Sequence, residues 1–216
     1  MTMVLSGDAG VTFPAGGVGN PVSAVVGLTD TQTLTNKSIV ASQLTGTIAV
    51  ARLPAGSVLQ VVQGIKTDTF VSSATVTDTA VTGLTVSITP TSSSSKILVF
   101  LNLGIGAENG QGGAGKLTRT IGGSTTQLSL ADSAGSRSRS SFAGSAFRGN
   151  ASNYLNMLWH QSITYLDSPA TTSATTYGVQ VSSITNGTYI NRTEADGNSN
   201  DTFRGVSYIT VMEIAA

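Results

Sequence analysis

The feature that most constrains this chain is a period of two. After Gly56, apolar residues recur at every second position in run after run, as in Leu84, Val86 and Ile88 between Thr85, Ser87 and Thr89. Successive side chains of a strand point to opposite faces, so such alternation marks a half-buried strand and excludes an amphipathic helix. Before Gly56 no such period runs for more than a few residues. Only Asp8, Asp30, Lys37 and Arg52 are charged there, and Gly and Pro punctuate the stretch. The residues Leu53-Pro54-Ala55-Gly56 therefore read as a junction between an N-terminal segment, 1–56, and a globular domain, 57–216.

Composition fits a β protein. Ser and Thr make up about a quarter of the chain, charged residues only 10%, and the good helix formers do not dominate. Eleven basic residues balance eleven acidic ones, which leaves no electrostatic footprint for nucleic acid or an anionic membrane. With no cysteine, disulfides and thiolate metal sites are excluded. No apolar run reaches the length of a membrane span, and Met1-Thr2-Met3-Val4-Leu5-Ser6-Gly7-Asp8 lacks the pattern of a signal peptide. Folding in a cytoplasm is the expectation.

The alternation after the junction predicts strands at 57–66, 70–76, 81–89, 97–105, 117–121, 126–130, 154–166, 175–184 and 203–214. Gly122-Gly123 and Asn186-Gly187 supply hairpin turns. Together these make about eight to ten antiparallel strands, an all-β jelly-roll sandwich. Ile97-Leu98-Val99-Phe100-Leu101 is apolar on both faces, although a sandwich strand needs only one covered. The last strand carries Val206, Tyr208, Met212 and Ile214 on one face and Ile209 and Val211 on the other. The surplus apolar face implies a subunit contact, and Ile209 and Val211 are the expected interface. Trp159, Tyr165, Tyr177 and Tyr208 fall on the parity expected to face the core.

In the N-terminal segment, Leu34, Ile39, Leu44 and Ile48 form sparse apolar beads that one chain cannot bury. Three copies wound together would bring each bead to a common axis. The run Thr31-Gln32-Thr33-Leu34-Thr35-Asn36-Lys37-Ser38-Ile39 resembles the Thr-Leu-Thr-Asn-Lys-Thr element of bacteriophage tail-fibre shafts. The passage from Leu44-Thr45-Gly46-Thr47-Ile48 through Leu53-Pro54-Ala55-Gly56 to Val58-Leu59-Gln60-Val61-Val62 is similar to shaft-to-head passages of phage fibres. The strand order closing on Tyr208-Ile209-Thr210-Val211-Met212-Glu213-Ile214 is similar to trimeric tumour-necrosis-factor-like heads at fibre tips. The resemblance implies a homotrimer with an extended, mostly irregular shaft docked to other virion proteins through its N-terminal segment. It also implies a virion protein assembled in the host cytoplasm, with a head that recognises a glycan or protein of the host surface.

Candidate contact residues then lie in three loops: Glu108, Asn109 and Gln111; Arg137 and Arg139; Asn191, Arg192, Asp196 and Asn198. A structural decoration fibre of the capsid or another virion part, with no essential receptor, is the alternative. A tip that cleaves surface polysaccharide is a third reading, against which the carboxylates are scattered.

No catalytic, cofactor or metal site is expected. Gly110-Gln111-Gly112-Gly113-Ala114-Gly115-Lys116 fits the spacing of a phosphate loop. However, Leu117 stands where Ser or Thr would hold magnesium, and a hairpin follows where a helix is needed. Residues 194–201 alternate oxygen ligands as a calcium loop does, yet Ser207 occupies the place of the bidentate Glu. His160, the single histidine, has Ser162 and Asp167 near in sequence, which does not assemble a catalytic triad. Arg137 and Arg139 are too few to track phosphates.

Overall fold

The structure, a computed structural model, describes residues 4–6, 10–12, 46, 48–49, 52–73, 78–107, 114–143, 156–182 and 187–216. The chain divides into two compact units, Met1–Thr47 and Ile48–Ala216. In the first, β1 (Val4–Ser6) pairs antiparallel with β2 (Gly10–Thr12). The beads Leu34, Ile39 and Leu44 lie outside the described residues.

Among the described residues, the second unit holds eleven strands in two sheets. They are β3 (Val58–Lys66), β4 (Phe70–Ser73), β5 (Thr79–Ile88), β6 (Lys96–Ala107), β7 (Ala114–Ile121), β8 (Ser124–Leu128), β9 (Phe142–Ala143), β10 (Trp159–Asp167), β11 (Thr175–Ser182), β12 (Gly187–Ile190) and β13 (Ser207–Ile214). One sheet runs β3-β13-β6-β12-β4 with β10 on the other side of β6; the second runs β5-β11-β7-β8 with β9 beside β7. The pairings are antiparallel. The expected all-β class and antiparallel two-sheet sandwich are therefore present, and almost every expected strand forms within a few residues of its place. β9 had no sequence signal, since two residues are too short for a period to register.

The core is built by parity. Ile97, Val99, Leu101, Leu103 and Ile105 of β6 meet Val81, Leu84, Val86 and Ile88 of β5 and Tyr177, Val179 and Val181 of β11, all buried. Ile209 and Val211 belong to this cluster and have zero exposure within a single chain. Their assignment to a subunit interface is thus corrected: side chains already enclosed by their own sandwich have no surface to offer a partner. Tyr208 is corrected in the opposite sense, standing on the outer face at 38% exposure.

Two polar clusters tie the sheets. Asp167 of β10 accepts from the Arg119 guanidinium at 2.8 and 2.9 Å and from the Tyr177 hydroxyl at 2.7 Å, which joins the first sheet to β7 and β11 of the second. Burial raises the Tyr177 phenol far above its ordinary range, and the Asp167 carboxylate adds to the effect. At the other site, the Glu213 side chain is fully buried on β13. Its oxygens accept from Gln60 Nε2 at 2.6 Å and from the backbone N–H and hydroxyl of Thr91, each at 2.7 Å. Beside it, Gly56 N donates to Ala215 O at 2.8 Å and Ala215 N to Ser57 O at 2.9 Å, so the junction residues pair with the end of the chain.

Burial pushes the Glu213 carboxyl upward, but hydrogen bonds from Gln60, Ser95 and Thr91 outweigh it and hold the group below the ordinary glutamate range. A carboxyl lowered in the folded state contributes stability that is complete above its unfolded value, about 4.3, and is lost as pH falls through the folded value. Glu213→Gln is therefore expected to cost roughly 1–3 kcal/mol at pH 7 and much less at pH 3. Urea midpoints of both proteins at the two pH values check this; an equal loss at both would refute it.

Candidate interaction surface

Opposite parity on the first sheet places a second set of side chains outside. Register aligns them in rows across four strands. Val61, Met212, Leu98 and Leu166 form one row, apolar from edge to edge. Gln63, Thr210, Phe100 and Thr164 form the next, followed by Ile65, Tyr208, Asn102 and Ser162. Val61, Ile65 and Leu166 are 54%, 58% and 54% exposed. These three rows contain no charged residue. A shallow groove of about 340 Å³ runs among Phe100, Asn102, Ser162, Thr164, Tyr208 and Met212.

The outer face of the second sheet is the internal comparison. Its rows are Thr85, Gly178, Thr118 and Gln127, then Ser87, Thr176, Thr120 and Thr125. Hydroxyls pair there at 2.7 Å between Ser87 and Thr176 and at 2.8 Å between Thr120 and Thr125; Gln127 donates to Gln180 at 3.0 Å. One outer face is thus lined by hydroxyls and amides, whereas the other carries a row that is apolar from edge to edge. Contiguous exposed apolar patches mark interaction sites.

The apolar face is bounded at one end by the segment 191–206, which leaves the first sheet between β12 and β13 and folds over it. Gly106 makes this close approach workable: a Cβ there would collide with the Arg192 carbonyl. Asn191 anchors the departure, in a left-handed conformation at φ 60°. Its amide nitrogen donates to the carbonyls of Lys66 and Asp68 at 2.8 and 3.0 Å, and its oxygen accepts from the Ser207 hydroxyl at 2.6 Å. Fully buried, Asn191 is a structural hub where β3, β4, β12 and β13 meet; its expected role as a contact residue is corrected. The corner needs a short amide that both donates and accepts, and sequence could not show its distant partners.

The other candidate contacts divide. Arg192 is largely covered: its guanidinium lies 4.5 Å from the Tyr189 ring centroid and 2.8 Å from Asp196. Asp196 receives Arg204 on its other oxygen at 2.6 Å. Both of its oxygens are therefore engaged by arginines rather than turned to an open calcium site. Among the described residues no group of three or more histidine or acidic side chains is placed to hold a metal. Asn198 is exposed. Arg137 and Arg139 are exposed too, and their guanidiniums fold back onto Ala134 O at 3.2 Å and Ala131 O at 2.6 Å. Glu108, Asn109 and Gln111 lie outside the described residues, and Ile48 is 52% exposed.

His160 pairs through Nδ1 with Asn102 Oδ1 at 2.6 Å on the outer face, while Asp167 points inward to Arg119. The two stand on opposite faces of β10, so no relay joins them. Lys116 lies within β7 and is bonded to Asp78 at 2.6 Å, in a strand rather than at a helix start.

No protein-family model and no curated protein sequence matches the chain.

The different fates of two asparagines are testable. Asn191→Ala strands buried partners and is expected to cost about 1–3 kcal/mol, whereas Asn198→Ala on the exposed loop should change stability by under about 0.5 kcal/mol. Guanidinium unfolding of the two variants reads the difference; equal costs would contradict the placement.

Proposed function

We propose that this chain is a structural fibre protein of a bacteriophage virion. In this reading, residues 57–216 form a homotrimeric jelly-roll head that recognises the host cell surface, and the N-terminal segment docks to other virion proteins. The observation that carries self-association is the set of three uncharged outer rows on the six-stranded sheet, with the edge-to-edge apolar row of Val61, Met212, Leu98 and Leu166; the one lysine of this face, Lys96, lies in the row beyond them with Val58 and Ile214. Burying such side chains is worth about 25 cal/mol per Å² of apolar area, and one copy has nothing further to place on them among the described residues. The virion setting rests on the resemblance of residues 31–39 to a fibre shaft element and of the head to fibre tips. Three copies on one rigid tip would multiply weak contacts by avidity without a deep catalytic pocket.

Charge placed on the outer face should separate copies and leave each fold intact. Val61→Asp and Met212→Asp are expected to shift the full-length chain from trimer to monomer at micromolar concentration, with the β circular-dichroism signal kept. Ile209→Asp, by contrast, should unfold the sandwich, because it buries an unpaired charge. Light scattering coupled to size exclusion decides. A monomeric wild type, or a Val61→Asp/Met212→Asp double variant that stays trimeric, would overturn the proposed face.

A further inference from the structure

Beyond the self-association face, the 191–206 segment forms a second feature. Phe203, at 54% exposure, and Met157, at 37%, are large apolar side chains that the sandwich leaves in solvent. With Asn156, Leu158, Trp159 and Arg204 they line an open cleft of about 540 Å³. A polar cleft of about 330 Å³ lies on the other side of the Phe203-Arg204 wall, edged by Asp196, Asn198, Ser199 and Thr202. Both volumes fall in the range that holds small ligands.

The wall is held in place. Thr193 N donates to Phe203 O at 3.2 Å, and Phe203 N donates to the Thr193 hydroxyl at 3.4 Å. The Thr202 hydroxyl closes the turn onto Gly197 O at 2.6 Å and Ser199 O at 2.9 Å. Asn156 Nδ2 donates to Asp201 at 2.8 Å, which links the β10 side of the cleft to the excursion. The backbone that carries Phe203 is thus fixed, which lowers the entropy a ligand would cost by ordering it.

From this geometry we propose that the cleft binds a neutral saccharide of the host surface. The inference rests on the reading of the head as a host-recognition domain and names the ligand class and the place. A pyranose presents an apolar C–H face and a rim of hydroxyls. Trp159, Phe203 and Met157 offer the matching apolar surface, and the Arg204 guanidinium offers polar donors at its rim, while Asn198 and Ser199 edge the neighbouring polar cleft. Asp196 already pairs with Arg204, so the site is not tuned for an acidic sugar.

Trp159 is the only tryptophan, so its emission reports on the cleft directly. The full-length chain is titrated with a panel of neutral bacterial oligosaccharides. At least one is expected to give a saturable shift, and Phe203→Ser should weaken that binding tenfold or more with unchanged molar mass. Arg204→Ala serves as a second variant on the polar side and should weaken it as well. No saturable response from any sugar, or a response that both variants leave unchanged, would overturn the cleft. Beads coated with the wild-type chain and offered to a panel of bacterial strains separate the two failures. Adhesion with a silent Trp159, or adhesion abolished by protease treatment of the cells, sinks the saccharide cleft alone, whereas adhesion to no strain counts against host recognition itself.

Discussion

A strand has two faces, and a sandwich of two sheets has one interior in which to hide them. The second sheet resolves this simply, with Leu84, Val86, Ile88, Tyr177 and Val179 inside and Thr85, Ser87, Thr120 and Thr176 outside. The first sheet does not, because β6 and β13 are apolar on both parities. Ile97, Val99 and Leu101 fill the core with Ile209 and Val211, and Leu98, Phe100 and Met212 remain on the far side. The edge strands repeat the pattern through Val61, Ile65 and Leu166. Hydroxyls in place of these side chains would leave the core untouched, so packing within one chain gives no reason for them.

The same sheet is interrupted in two adjoining ladders at one level. β3 gives way to β4 along one, and β13 to β12 along the next, with Asn191 bonded to Lys66, Asp68 and Ser207 across the gap. This break limits the apolar face. It also releases the chain for the excursion that raises Phe203 and Arg204, so one buried amide sets the edge of one surface and the footing of another. The arginine-aspartate-arginine cluster then stiffens the excursion, with Arg192 stacked on Tyr189 beneath it.

Strand positions and the fold class were legible because period two and turn residues are local signals. The Gly122-Gly123 hairpin shows this plainly: both glycines take positive φ, 56° and 84°, as the tight turn requires. The facing of the last strand was not legible. In β13 the inward set is Ser207, Ile209, Val211 and Glu213, and the outward set is Tyr208, Thr210, Met212 and Ile214. Judged alone, the outward set is the greasier. What reverses the choice is long-range: Ser207 finds Asn191 and the Gly104 N–H, and Glu213 finds Gln60 and Thr91, so two polar side chains become cheap to bury. Asn191 was misplaced for the same reason, since an Asn next to a polar loop looks like a tip until its partners at Lys66 and Asp68 are known. The row joining Val61 to Leu166 spans residues more than a hundred apart, and only the register of β13 and β6 brings it together.

The chemistry of the outer face also determines how any partner on it would be held. With no charge in its three rows, attraction there comes from removing apolar area from water, which is weakly sensitive to salt, and not from ion pairs, which are screened within about 10 Å at 0.1 M. Specificity must then come from shape and from the few polar groups set among the apolar ones: Asn102, whose amide donates to Ser162 at 3.0 Å, Gln63, bonded to Thr210 at 2.7 Å, and the Tyr208 ring. Asn102 and Gln63 each have a partner within one copy, whereas the Tyr208 hydroxyl would need an acceptor from whatever covers it. The three uncharged rows, bordered by the 191–206 excursion, are the part of this sheet where apolar burial has most to gain. The excursion itself carries Phe203 and Arg204 into solvent.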